Sequence, residues 1–109
     1  MDTLTVKKIS AAIANFRKPY SCAQTVYAAF APDTDAQTMD FMKQNSGGRA
    51  PEGMCGALFA ATQLAPERAE ELAKKFAERV GDTACLRIKR EHKTLCEECV
   101  RAAAELLSE

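Results

Sequence analysis

An all-α fold is predicted by three observations. Apolar residues recur at helical spacing along most of the chain, and capping residues with Pro and Gly punctuate those runs. Residues 55–64 carry no charge and only Thr62 and Gln63 as polar side chains, the pattern of a helix without a wet face. The expected architecture is a compact bundle of five or six short helices around that buried central helix. With 109 residues the chain makes one domain, long enough to bury a core without staples.

The first segment places Val6, Ile9, Ile13 and Phe16 at helical spacing, opposite Lys7, Lys8 and Arg17. Pro19 ends it, because proline pushes the preceding residue out of the helical region. Ser21 follows as an N-cap, and Gln24 three residues on completes a capping box. This second helix reaches about Ala31 and aligns Cys22, Val26, Ala29 and Phe30, with Cys22 in its first turn. Pro32-Asp33-Thr34-Asp35 breaks the chain and starts a third helix, whose inward candidates are Met39, Met42 and Phe41. Asn45-Ser46-Gly47-Gly48 closes it.

A loop rich in glycine then delivers Cys55 to the start of the central helix. Pro66 stands in the first turn of the next helix, where Ala69, Leu72, Ala73, Phe76 and Val80 form an inner stripe and Gly81 a stop. Residues 82–93 are compatible with a short extended piece or one turn of helix, and Lys89-Arg90-Glu91-His92-Lys93 reads as a charged loop. Thr94 starts the last helix with Glu97 at the capping-box position. Cys96, Val100, Ala103 and Leu107 make one apolar row of it, with Cys99, Ala103 and Leu106 beside them.

Composition narrows the function classes. The chain is 47% apolar and 28% charged, and its 15 basic residues balance 15 acidic ones. That balance leaves no long-range field to gather nucleic acid or an anionic membrane. No run approaches the roughly 20 apolar residues of a membrane span. The N-terminus lacks the basic-then-apolar order of a signal peptide, so a cytoplasmic location is expected.

Five cysteines are many for this length, and their odd number without a signal argues against a disulfide framework. In a reducing compartment such clusters serve metal binding or redox chemistry. Cys22, Cys55 and Cys96 each fall at a helix start on an inward face, where free N–H groups and the helix dipole favour an anion. Thiolates are such anions, and cysteines there can titrate below the free value of about 8.5. Cys85 comes from the irregular stretch. Cys96-Glu97-Glu98-Cys99 has redox or metal spacing, although the two glutamates oppose the helix-end effect and no second pair accompanies it. Cysteine also serves as a small core hydrophobe, and Cys99 fits that use equally well. His92 reads as solvated. The glycine loop lacks the lysine and hydroxyl of a phosphate-binding loop, and Met39, Met42 and Met54 read as core.

Taken together, Cys22-Ala23-Gln24, the glycine loop into Cys55-Gly56-Ala57, Cys85, and Cys96 ahead of Val100-Arg101-Ala102-Ala103 resemble a four-cysteine family of redox-active proteins with the signature C_GCAxxG_C_C. The resemblance runs from about Pro19 to Leu107. It places the four family cysteines on Cys22, Cys55, Cys85 and Cys96, with Cys99 as an extra. It departs at Ala60, where the pattern has its second glycine. The resemblance implies redox character and no defined reaction.

The favoured function is therefore a small thiol redox protein, oxidoreductase-like, using Cys22, Cys55, Cys85 and Cys96, with no cofactor required. Cys22 or Cys55 is the expected nucleophile, Cys55 the more accessible because its loop can open. A second cysteine would resolve the mixed disulfide formed with a redox partner protein or a small thiol or disulfide. The same four thiolates alternatively suit a metal or an iron–sulfur cluster, the latter better because the ligands are scattered. A third reading is a helical interaction module with core cysteines.

Overall fold

The structure, a computed structural model, describes residues 3–17, 20–31 and 33–109. Pro19 and Pro32, the expected breakers, lie outside the described residues, as do Met1 and Asp2. Seven α-helical elements and no strand occur among those described, so the all-α class is correct. In chain order they are α1 (Thr3–Asn15), α2 (Cys22–Phe30), α3 (Ala36–Gln44), α4 (Gly56–Leu64), α5 (Ala69–Val80), α6 (Cys85–Arg87) and α7 (Cys96–Leu107). Single turns of 3₁₀ helix, Pro51–Gly53 and Pro66–Arg68, precede α4 and α5. The radius of gyration, 12.3 Å, is close to the ~13 Å of a packed domain this long.

The helix count exceeds expectation because the ambiguous stretch is helical. Asp82 Oδ1 accepts the N–H groups of Thr83 (2.7 Å) and Ala84 (3.0 Å), turning the chain into α6. A π-turn, Ile88–His92, extends α6, and Ile88 is buried beneath it. The residues expected as a charged loop are therefore wound up as far as His92. Lys93, at φ 54°, ends the turn by donating its N–H to the Ile88 carbonyl.

Local caps explain most other boundaries. Ser21 and Gln24 form the expected capping box on α2. Asp35 caps α3 by accepting the Thr38 N–H at 2.8 Å. Gly81 stops α5 at φ 106°, and a Cβ there would fall 2.2 Å from the His92 ring, which packs over this backbone. The start of α7 differs from expectation. Leu95 is its N-cap residue and no side chain caps it. The Thr94 hydroxyl instead donates to the Val80 carbonyl at 3.0 Å, tying the approach to α7 onto the end of α5.

Much of the core is alanine. Ala12 of α1, Ala23 of α2, Ala57, Ala60 and Ala61 of α4, and Ala102, Ala103 and Ala104 of α7 are each at most 1% exposed. Side chains this small let helix backbones approach closely. Larger buried residues fill the gaps: Met42, Leu58, Leu72, Phe76 and Ile88. The inner stripe of α5 holds at Leu72, Phe76 and Val80, whereas Ala69 and Ala73 are half-buried. The first six residues of α4 are buried, but Gln63 is exposed, so the helix turns a wet edge near its end. Val6 and Phe41, placed inward by periodicity, are nearly half exposed, and Phe41 leans on Phe59 with ring centroids 5.8 Å apart. No helix among the described residues is long and apolar enough to cross a membrane.

Phe76 is fully buried in α5. Phe76→Ala is expected to cost about 3–5 kcal/mol, the range for emptying a buried aromatic site, read as a lower midpoint in urea unfolding.

Candidate functional site

All five cysteines line one cavity of about 30 Å³, together with Gly47, Ile88, Lys89 and Thr94. Four of the thiols stand where a helix begins. Cys22 opens α2, Cys85 opens α6, Cys96 opens α7, and Cys55 is the N-cap residue of α4. Cys99 lies one turn into α7 and also lines the cavity. The structure thus brings together Cys22, Cys55, Cys85 and Cys96, and adds the fifth cysteine to them. None is in a disulfide: all five are free thiols. Cys22 and Cys96 are half-buried, whereas Cys55, Cys85 and Cys99 are buried.

Particular contacts hold these elements at the cavity. The buried Ser46 hydroxyl accepts the Ala23 N–H (3.4 Å) and lies 3.0 Å from the Met42 carbonyl and 2.8 Å from the Ser21 hydroxyl. The Gly47 backbone N–H and the Ser46 hydroxyl also hydrogen-bond the Cys22 sulfur. Gly56 is needed for proximity: a Cβ there would fall 2.6 Å from Cys22 Sγ and 3.0 Å from Ser46 Cα. The Cys55 and Cys85 segments are pinned to one another. The Cys55 N–H donates to the Thr83 carbonyl at 2.8 Å, and Met54 and Ala84 form an antiparallel bridge.

The electrostatic balance is the reverse of what helix starts alone imply. Burial raises the Cys22 thiol above its usual value, against the Gly47, Ser46 and Ala23 hydrogen bonds that favour its thiolate. Cys55 is raised most strongly, because it donates a hydrogen bond to Cys99 and is also desolvated. Burial raises Cys85 too, with Lys89 opposing. Losing water outweighs the helix ends at these three positions. The expected accessibility of Cys55 is corrected as well: its relative exposure is 5%, so Cys22 and Cys96 face outward more than it does.

Lys89 is a site residue that sequence reasoning missed. It lines the cavity, hydrogen-bonds Cys96, and is held above its usual value first by Cys96 and then by Cys85. Its signal is the four-residue spacing from Cys85, which puts both on one helical face. That spacing carries meaning only once the stretch is known to be helical. Asp82 was missed for the same reason; its carboxyl lies below the usual range because it accepts from the Ala84 and Thr83 backbone. His92 is exposed and does not line the cavity.

The cavity is about as large as the ~30 Å³ that one water takes up in the liquid. Among the described residues, no group of three or more His, Cys, Asp or Glu side chains is placed to hold a metal ion. The arrangement gathers five sulfur atoms around one small space, with a cation at one side. No family model, curated protein or solved structure matches the chain.

Two outcomes test this geometry. Helix propensity alone would make Gly56→Ala stabilising by up to about 1 kcal/mol; the contact with Cys22 Sγ makes it destabilising instead, by about 1–3 kcal/mol, in urea unfolding under reductant. The raised thiols also set a pH dependence. Their folded forms hold protons that the unfolded chain releases above about 8.5. Stability is thus complete below that pH and falls as pH rises toward the folded values. The urea midpoint should drop between about pH 7 and pH 9.5, and drop less in Cys55→Ala.

Proposed function

We propose that this chain is a small thiol–disulfide redox protein working through the cysteine cluster, as its resemblance to the four-cysteine C_GCAxxG_C_C family implies. The observation that carries the reading is the convergence of all five thiols, from four separate helix starts, on one cavity. Sulfurs gathered from distant parts of a chain can exchange bonds with little rearrangement.

The reaction balances without a cofactor. A half-buried thiolate attacks one sulfur of an external disulfide, forming a protein–partner disulfide, and the broken bond's electron pair leaves on the partner's thiolate. A second cavity thiolate then attacks the protein sulfur of that mixed disulfide and releases the partner's other thiolate. Two protein thiols become one disulfide, one partner disulfide becomes two thiols, and protons pass between the two pairs. Cys55, Cys85 and Cys99 line the same cavity and are the candidates for the second step, each giving up its proton as it attacks. The reading includes α4 as the central helix of the bundle, a reducing compartment such as the cytoplasm, and a redox partner protein or small thiol.

Anaerobic purification, an absorbance scan, iron and sulfide analysis and a thiol titration test it together. The expected result is a colourless protein with five titratable thiols, lost two at a time on mild oxidation and recovered with dithiothreitol. A brown protein with stoichiometric iron would overturn the reading in favour of a thiolate-bound cluster. Unreactive thiols with no metal would leave a helical interaction module.

A further inference from the structure

Cys96 stands on the border between the cysteine cavity and a surface groove. That groove, of about 530 Å³, runs between α1 and α7, lined by Ile13, Ala14, Phe16, Arg17, Leu95, Cys96 and Glu97. Cys96 belongs both to this groove and to the cysteine cavity. Cys22 shares with Cys96 a half-buried position but does not line this groove. The groove's volume falls within the ~300–1,000 Å³ of small-ligand sites. Exposed Leu95 and half-buried Ile13 and Phe16 give it apolar walls, and Arg17 and Glu97 offer charge of both signs. On its cavity side, Cys96 meets the Lys89 ammonium.

We infer that Cys96 is the thiol that first exchanges with an external, low-molecular-weight disulfide, which reaches it through the groove between α1 and α7. This rests on the redox reading and assigns its first step. Cys96 Sγ, as thiolate, attacks one sulfur of the ligand and forms a new S–S bond. The ligand's own S–S bond breaks, and its second half leaves as a thiolate carrying the electron pair, then takes a proton from water. Arg17 and Glu97 complement a ligand bearing both carboxylate and ammonium groups, the chemistry of an amino-acid or peptide disulfide.

Oxidised glutathione is a probe of that class. The fully reduced full-length chain is exposed to it briefly, acid-quenched, and mapped by peptide mass spectrometry. The expected first adduct is on Cys96. Ala14→Trp, at an exposed α1 position on the groove and away from the cavity, is expected to slow that adduct at least about threefold while leaving all five thiols titratable after denaturation. A first adduct on Cys22, Cys55, Cys85 or Cys99 would overturn the inference, as would Ala14→Trp reacting at the wild-type rate. The two readings fail separately. Pairwise oxidation without a Cys96 adduct removes only this inference, and a Cys96 adduct without any internal disulfide removes the redox reading instead.

Discussion

Taking sulfur out of water at the points where α2, α4 and α6 begin sets two electrostatic influences against each other. Backbone N–H groups favour a thiolate, and at Cys22 those of Ala23, in the first turn of α2, and of Gly47, in the loop after α3, both do so. Burial disfavours it, and at Cys22, Cys55 and Cys85 burial has the larger effect. The result is a cluster whose members stand in different surroundings. At those three positions burial favours the protonated thiol, while the half-buried Cys96 lies beside the Lys89 ammonium.

The same constraint explains why residues without chemistry of their own matter here. Gly56 is required by the 2.6 Å that a side chain would leave to Cys22 Sγ, so the approach of α4 to α2 depends on an absent methyl group. Ser46 supplies a hydroxyl to the start of α2, the end of α3 and the Cys22 thiol, joining helix capping to sulfur chemistry. Asp82 shapes the turn that carries Cys85, and the Met54–Ala84 bridge fixes that turn to the Cys55 loop. Cys22, Cys55 and Cys85 are thus each placed by neighbours other than cysteine.

How much of this is legible in the sequence varies with the range of the interactions involved. The helical class, the capping box at Ser21 and the stop at Gly81 are local, and periodicity and cap chemistry identify them directly. The three cysteines at helix starts follow from the same local rules. Thr94 shows where such rules fail, since its spacing to Glu97 matches a capping box while its hydroxyl is taken by Val80, fourteen residues away in the chain. Exposure is the least legible property. Cys55 follows a glycine loop and reads as accessible, yet the packing of α2, α7 and the Thr83 turn around it closes it off. Lys89 and Cys99 become site residues only through the winding of α6 and the seating of α7, which no short window contains.

The alanines of the interior have a bearing on how the cluster can respond. Alanine has no side-chain rotamer to change, so a core of Ala23, Ala57, Ala60, Ala61, Ala102 and Ala103 stores no slack in its side chains. A new sulfur–sulfur bond draws two backbones to a set separation. Around this cavity those backbones belong to α2, α4, α6 and α7. Any bond formed between two of these sulfurs would therefore have to be accommodated in the spacing of whole helices and not in the side chains between them.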